Sequence, residues 1–175
     1  MPDADSPVLI ALTGLPGSGK TTLARALAKQ LGAVHVRVDV IETALVEAGA
    51  VSLRDRPDAG YRVAYALAAD HLRSGVSVIA DTVNPIAITR DPWRQVARDA
   101  GARVLEVEVV CGDAAEHRRR VETRSADIPG HTLPSWEDVV TRDYQSLALG
   151  EGAIQVDTAS GIDGAVQAIV AAVSV

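Results

Sequence analysis

The amino-acid sequence predicts a three-layer α/β/α fold around a five-stranded parallel sheet. Short apolar runs alternate with helical patterns along nearly the whole chain, which is typical of strands joined by crossover helices. Hydrophobic residues make up 47% of the 175 residues, yet aromatics make up only 3% and Phe is absent. An aliphatic core of this kind suits a buried parallel sheet covered by helices. A glycine-rich segment also joins the first strand to the first helix.

The predicted strands are short apolar or alternating runs bounded by glycine or aspartate. In chain order they are Val8–Thr13, 33–38, 76–80, Arg103–Val110 and 154–156. The predicted helices have apolar residues at helical spacing, and several of them end at a glycine. In chain order they are 21–31, 40–48, Ala59–Arg73, 89–100, 113–123, 135–147 and Asp163–Val173. Residues 52–58 hold charges and a proline, so we expect an exposed loop there.

Length and composition predict a single domain spanning residues 1–175, with a flexible tail at residues 1–7. The only cysteine, Cys111, excludes an internal disulfide and favours a reducing compartment. We find neither a secretory leader nor an apolar run of membrane-spanning length, so we expect a soluble, cytoplasmic protein without a membrane partner. The net charge of −6 argues against a nucleic-acid partner. The sequence leaves a monomer and a homodimer equally open.

The segment after the first strand, residues 14–22, contains the full pattern G-x-x-x-x-G-K-[ST] and is called the phosphate loop. Glycines let the backbone curl so that successive N–H groups face phosphate oxygens, and the following helix adds its positive end. We expect the lysine to reach the β- and γ-phosphates and the first threonine hydroxyl to bind Mg²⁺. A chance match is the alternative, but the strand–loop–helix context disfavours it. The predicted ATP-binding residues of this loop are Gly14, Leu15, Pro16, Gly17, Ser18, Gly19, Lys20, Thr21 and Thr22.

Two aspartates follow the second and third predicted strands. Because parallel strands end at the same edge of the sheet, Asp39 and Asp81 are expected to open onto the crevice that holds the phosphate loop. One carboxylate there would orient or deprotonate an acceptor hydroxyl, and the other would hold Mg²⁺ through water. The assignment between them stays open, although we favour Asp39 for catalysis and Asp81 for metal and substrate binding. The alternatives are a helix N-cap for Asp39 and a turn residue for Asp81.

An arginine-rich helix and the flap after it, about residues 113–134, are predicted to form a lid. Arg120 and Arg124 lie four residues apart on one helix face, where arginine forks stabilise the charge of a transferring phosphoryl group. The alternative is a solvated helix with the spaced ion pairs Glu116–Arg120 and Arg118–Glu122. Arg90 and Arg94, which follow Asn84, either grip an anionic substrate or solvate their helix.

Together these features resemble the small P-loop kinases, an AAA-type group that includes chloramphenicol phosphotransferase, zeta-toxin-like sugar-nucleotide kinases, polynucleotide 5′-hydroxyl kinases, gluconate kinase and adenylyl-sulfate kinase. The segments 80–85, 89–94, 109–113 and 117–124 look most like bacterial kinases labelled adenylyl-sulfate-kinase-like. The resemblance implies the P-loop NTPase fold with ATP and Mg²⁺ as cofactors. It implies that Asp39 contacts the acceptor hydroxyl, that Arg120 and Arg124 belong to the lid, and that Thr158 lies near the adenine.

The chain departs from these relatives on the acceptor side. Many of them have an arginine three residues after the aspartate, where this chain has Glu42, and adenylyl-sulfate kinases use phenylalanines that this chain lacks. These differences argue against adenylyl sulfate as the substrate. Glu42 beside Asp39 would favour a neutral or amine-bearing acceptor, whereas Arg90 and Arg94 would favour an anionic one.

The expected function is transfer of the γ-phosphoryl group of ATP to a hydroxyl of a small-molecule acceptor. The proposed catalytic residues are Lys20, Asp39, Arg120 and Arg124, and the proposed substrate ligands are Asp39, Glu42, Asp81, Asn84, Arg90 and Arg94. A nucleotide-hydrolysing switch or binding module and a nucleic-acid 5′-hydroxyl kinase are the alternatives. The sequence has no water-positioning glutamine motif that would support a hydrolysing switch. The negative net charge disfavours a nucleic-acid kinase.

Overall fold

A computed structural model describes residues 6–150 and 152–174. Five strands form one parallel sheet in the order β2-β3-β1-β4-β5, which confirms the predicted α/β fold. The strands are β1 (Val8–Thr13), β2 (Val34–Arg37), β3 (Val78–Asp81), β4 (Arg103–Val110) and β5 (Ala153–Asp157). The helices are α1 (Lys20–Leu31), α2 (Val38–Glu47), α3 (Ala59–Arg73), α4 (Ala87–Asp99), α5 (Ala114–Thr123), α6 (Trp136–Val140) and α7 (Asp163–Val173). Most of the predicted tail, residues 1–5, lies outside the described residues.

The sheet has a hydrophobic core on each face because the side chains of its central strand alternate between the two. From β1, Ile10 and Leu12 pack with α1 and α7, whereas Leu9 packs with α3 and α4 on the other face. Aliphatic side chains fill most of both cores. The buried indole of Trp93 adds bulk on the α4 side, where Tyr65 meets it edge-on at 4.5 Å between ring centroids.

The strand order places the candidate site at the carboxyl edge of the sheet. β1 is the central strand, with β3 on one side and β4 on the other, so the chain leaves it next to a topological switch point. The phosphate loop follows β1, and Asp81 is the last residue of the neighbouring strand β3. Both therefore open onto the same crevice, as the sequence predicted.

The predicted helix at residues 135–147 is wrong beyond Val140. A capping box between Ser135 and Asp138 starts α6, but the helix lasts only five residues. Tertiary hydrogen bonds hold the following segment instead: Gln145 N–H donates to the Pro85 carbonyl, and the Tyr144 hydroxyl donates to a Glu108 carboxylate oxygen at 2.8 Å. These contacts across the chain outweigh the local helical pattern.

The boundary between β2 and α2 also differs from the prediction. The strand ends at Arg37, the helix begins at Val38, and Arg37 occupies the N-cap position. Asp39 therefore lies inside the first helical turn and is not an N-cap. A carboxylate at that position interacts favourably with the positive end of the helix. Within the described residues, no helix is long and apolar enough to cross a membrane.

Candidate active site

The phosphate loop has the backbone geometry of a phosphate cradle. Gly14, Gly17 and Gly19 all have positive φ angles, of 144°, 84° and 92°, which L side chains rarely adopt. A Cβ atom on Gly14 would lie 2.3 Å from the Val109 carbonyl oxygen, and one on Gly17 would lie 2.5 Å from a Val121 methyl carbon. Glycine is therefore required at both positions by conformation and by space. Gly19 caps α1 without any side-chain hydrogen bond, so the first amides of the helix remain available to a ligand.

Lys20 lies at the bottom of a cleft of about 760 Å³ that the phosphate loop borders. Its side chain is 7% exposed, and its Nζ donates to the Leu15 carbonyl at 2.9 Å. Burial lowers the pKa of Lys20 to about 8, although the charges of Asp81 and Asp39 oppose that effect. A buried ammonium group between these acids leaves a local positive charge where phosphate oxygens would enter.

Asp81 is buried at the end of β3 and is held in its charged form. Its Oδ2 lies 3.0 Å from Nε2 of His35 on β2 and 3.9 Å from Nε of Arg37. Burial alone would raise the pKa of Asp81, but the His35 hydrogen bond and the Lys20 charge outweigh it and hold the pKa below its ordinary value. A hydrogen bond from Thr21 adds to the same effect.

Asp39 and Glu42 line the cleft from α2, opposite the phosphate loop. Asp39 is partly exposed, and its Oδ2 lies 3.7 Å from Nη2 of Arg37. Burial, together with the nearby Asp39 charge, raises the pKa of Glu42 to about 7. Glu42 packs so closely against Gly60 of α3 that a Cβ there would lie 2.2 Å from its Cγ. This wall therefore presents two carboxyl groups, and that of Glu42 titrates near neutral pH.

Arg120 and Arg124 both line the cleft but differ in their partners. Arg120 Nε donates to Glu116 at 2.7 Å, and Nη1 and Nη2 donate to the Thr158 hydroxyl and carbonyl at 3.0 and 2.8 Å. Nε and Nη2 of Arg124 are buried without a hydrogen-bond partner in the described part of the chain. Burial lowers the pKa of Arg124 despite the nearby Asp39 charge. Of these two arginines, Arg124 is thus the one with free donors at the cleft.

The first part of the predicted lid is anchored to the phosphate loop. His117 of α5 is buried, its Nε2 lies 2.8 Å from the Pro16 carbonyl, and Trp136 meets its ring edge-on at 5.3 Å. The predicted pairs Glu116–Arg120 and Arg118–Glu122 are also present, so α5 carries surface ion pairs as well. Beyond α5, the Asp127 carboxylate binds Arg25 and Arg37 at 2.5 and 2.8 Å, which ties the flap to α1 and β2.

The structure does not bring Asn84, Arg90 and Arg94 into the cleft. The Asn84 amide donates to the Leu12 carbonyl and accepts from the Trp93 indole N–H, both within the core. Arg90 is buried and donates to the backbone carbonyls of Asn84 and Gln145. Arg94 pairs with Glu106 and Asp91, at 2.8 and 2.6 Å. Their donors are used within the fold, so we no longer interpret these three residues as substrate ligands.

Thr158 has a different place from the one that the resemblance implied. It is 0% exposed, and its hydroxyl donates to the Ser18 carbonyl at 2.6 Å. It therefore supports the phosphate loop from behind and does not line the cleft. Sequence reasoning also missed His35, Arg37 and His117, each of which contacts a predicted site residue. Arg37 and His117 did have a signal, because each lies within two to three residues of a residue already singled out.

The oxygen groups of Thr21 and Asp81 fit a magnesium ion. Mg²⁺ prefers hard oxygen ligands and keeps several waters, so one hydroxyl and one carboxylate suffice beside phosphate oxygens. Both residues line the cleft, and Thr21 is close enough to Asp81 to help lower the pKa of its carboxyl. In residues 6–150 and 152–174, no group of three His, Cys, Asp or Glu side chains could hold a metal by itself.

A central strand, a glycine-rich loop with a buried lysine, and a following helix define this chain as a P-loop nucleotide-binding protein. A family model described as an AAA domain matches residues 9–142, and the chain belongs to this family.

Individual relatives agree with this assignment. A "UPF0200 protein" of Aeropyrum pernix is 32% identical over 83% of this chain and 78% of its own length. A "Probable adenylyl-sulfate kinase" of Synechocystis sp. is 33% identical over 71% of this chain and 73% of its own length. A crystal structure from Chloroflexus aurantiacus, described as that of a candidate kinase, superposes with a TM-score of 0.76 at 25% identity and covers 95% of this chain and 98% of its own.

Proposed function

We propose that this protein transfers the γ-phosphoryl group of ATP to a hydroxyl of a small-molecule acceptor. The observation that supports this function best is the buried Lys20, which lies at the floor of the cleft with Asp39 and Asp81 near enough to perturb its pKa. The positive charge would bind β- and γ-phosphate oxygens, and the carboxylates face the space beyond them. A donor pocket and acceptor-side carboxylates in one cleft are what a kinase needs.

On the donor side, the amides of the phosphate loop bind and orient the phosphates while Lys20 neutralises them. Thr21 and Asp81 would hold Mg²⁺, which would neutralise part of the phosphate charge. Asp81 suits this role because it is buried and its depressed pKa keeps it ionised. Residues 14–22 hold the nucleotide, and Thr158 contributes by supporting them.

On the acceptor side, Asp39 orients the acceptor hydroxyl and takes its proton as the acceptor oxygen bonds to the γ-phosphorus. The bond from that phosphorus to the β,γ-bridging oxygen breaks in the same transfer, and ADP leaves. Asp39 suits this role because it lines the cleft and is partly exposed, so that an acceptor can reach it. Arg124 stabilises the charge that spreads over the transferring phosphoryl oxygens, because two of its buried nitrogens lack partners within the described residues. Arg120 lines the same cleft, but its donors are engaged by Glu116 and Thr158.

The acceptor is proposed to be neutral or amine-bearing. The relative named for adenylyl sulfate would suggest an anionic acceptor. In this chain, however, Asp39 and Glu42 line the acceptor wall, and Arg90 and Arg94 do not reach it. The two acids would repel an anion placed against α2 and attract an ammonium group.

A thermal-shift panel of ATP, GTP and ADP with Mg²⁺ tests the donor half, and an acceptor screen that records ADP release tests the transfer. We expect stabilisation by ATP and ADP release that depends on the acceptor. The screen compares matched sugars with and without an amino group against phosphorylated or sulfated compounds. If neither ATP nor GTP stabilises the protein, the proposed function is wrong; ADP release without any acceptor would favour a hydrolysing switch.

A further inference from the structure

Two side chains from outside the phosphate loop bind its carbonyl groups. His117 of α5 lies 2.8 Å from the Pro16 oxygen, and Thr158 after β5 lies 2.6 Å from the Ser18 oxygen. A carbonyl can only accept, so the His117 Nε2 must carry the proton. Both side chains are buried, and they come from different elements on the outer side of the loop. Neither contact involves the cleft directly.

Each of these contacts fixes the orientation of a peptide unit. In a trans peptide the C=O and the following N–H point in opposite directions, and no cis peptide bond occurs in residues 6–150 and 152–174. Holding the Pro16 oxygen outward therefore turns the Gly17 N–H inward, and holding the Ser18 oxygen outward does the same for Gly19. In the described part of the chain, neither of these amides donates to a protein acceptor. They are left for a ligand.

The Thr158 hydroxyl also accepts a hydrogen bond from Arg120. Nη1 of Arg120 donates to the hydroxyl oxygen at 3.0 Å, while the hydroxyl donates to the Ser18 carbonyl at 2.6 Å, with the Val110 carbonyl as a longer acceptor at 3.3 Å. The guanidinium charge polarises this chain of bonds and makes the Gly19 N–H a stronger donor. Arg120 would then act on the nucleotide through Thr158 and the loop.

We infer that His117 and Thr158 are positioning residues that aim the amides of Gly17 and Gly19 at the phosphates of the bound nucleotide. This inference rests on the proposed function. It assigns to the outer surface of the phosphate loop a role in nucleotide affinity. A role in folding alone would lower stability and leave the affinity of the folded protein unchanged.

Two pairs of variants separate these roles, because the members of each pair have similar size and differ in one donor. His117→Gln keeps an N–H near the position of Nε2, and His117→Met removes it. Thr158→Ser keeps the hydroxyl, and Thr158→Ala removes it. Isothermal titration of full-length protein with Mg²⁺–ATP and Mg²⁺–ADP gives the affinity of the folded fraction, and thermal melting without nucleotide gives stability. His71→Met and Thr123→Ala serve as matched controls away from the loop.

We expect H117M and T158A to bind Mg²⁺–ATP about tenfold more weakly than the parent. We expect H117Q, T158S and both controls to remain within about threefold of it. Equal binding by all variants would overturn the inference, and so would equal weakening of H117Q and H117M, because packing and not the donor would then matter. Should H117M or T158A not fold, affinities of H117Q and T158S more than about tenfold below the parent would overturn it as well. Failure of the unmodified protein to bind either nucleotide would refute the proposed function instead.

Discussion

The donor and acceptor sides of the cleft are built in opposite ways. On the donor side, the Pro16 and Ser18 carbonyls are held by His117 and Thr158, and Lys20 donates to Leu15. On the acceptor side, Arg124 has buried nitrogens without partners in the described residues, and the pKa of Glu42 is raised to about 7. The loop is already arranged for its ligand, whereas the acceptor side has guanidinium donors without partners in the described residues and a carboxyl group whose charged form is disfavoured by burial.

This difference indicates which ligand completes which side. A preorganised loop binds phosphate with little rearrangement, and that geometry is the same for any nucleoside triphosphate. Unpaired buried donors are costly, so the acceptor side gains more from its ligand. Variants on the two sides should therefore separate binding of the nucleotide from transfer.

The largest effect is expected for Asp39→Asn, a change on the acceptor side. Loss of the carboxylate that takes the acceptor proton should lower kcat by about 10²- to 10⁴-fold, with nucleotide affinity nearly unchanged. Acceptor-dependent ADP release and titration with Mg²⁺–ATP measure the two quantities. Asp163→Asn is the matched control, because Asp163 also lies in the first turn of a helix, α7. Unchanged turnover would remove Asp39 from the mechanism.

Lys20→Met tests the donor side and should affect both turnover and nucleotide affinity. Loss of the buried charge that neutralises the phosphates is expected to lower turnover by about 10²- to 10³-fold and to weaken Mg²⁺–ATP binding as well. Lys29→Met removes the only other lysine, which is exposed in the last turn of α1. A variant at Lys20 that kept full affinity and turnover would contradict the division of the cleft into two sides.

Asn84→Ala tests whether the residues beside the cleft serve the fold. The change leaves the Leu12 carbonyl and the Trp93 indole N–H without their side-chain partner. We expect a loss of about 2–3 kcal/mol in the free energy of unfolding, measured with urea, and little change in KM for either substrate. Ser74→Ala, which removes an exposed side-chain hydrogen bond to the Asp70 carbonyl, is a control of smaller expected effect on stability. A raised acceptor KM with normal stability would restore Asn84 to the site.

The smallest effect is the pH dependence of stability caused by Glu42. Burial raises its pKa from 4.5 to about 7, so between these values the folded state binds more protons than the unfolded one. The contribution of Glu42 to stability therefore falls as pH rises through this window. Urea unfolding measures this effect. Between pH 5 and pH 8, the free energy of unfolding of Glu42→Gln should rise by about 1 kcal/mol relative to that of the parent, because solvent screens part of the charge of the partly exposed Glu42.

Glu47→Gln, on the exposed side of the same helix, should follow the parent at every pH. Parallel curves for the parent and Glu42→Gln would show that Glu42 carries no unfavourable charge. The acceptor wall would then be less strained than its geometry indicates.

The sheet and the phosphate loop could be predicted because local patterns determine them. β1, α3, β4 and α7 begin and end where the apolar periodicity places them. The glycines of the loop follow from its required φ angles. Positive φ and strand burial are properties of a few adjacent residues, so they can be read along the chain.

The interpretation of the arginines failed where partners distant in sequence decide the outcome. Arg90 and Arg94 have the same spacing as Arg120 and Arg124, yet Arg90 binds backbone carbonyls of residues 84 and 145, and Arg94 binds Glu106. Spacing gives a shared helix face but not what that face meets. The irregular segment after α6 was missed for the same reason, because Glu108 and Pro85 hold it from other elements.

The contact between Trp136 and His117 provides an intrinsic fluorescence probe of the phosphate loop. The chain has two tryptophans, and Trp93 is 0% exposed in the core beside α3. Trp136 is half-buried and meets the imidazole that binds the phosphate loop. A change in the phosphate loop on nucleotide binding would be transmitted to the Trp136 indole through the His117 imidazole. The fluorescence emission of Trp136 should therefore report nucleotide binding in real time, without an added label.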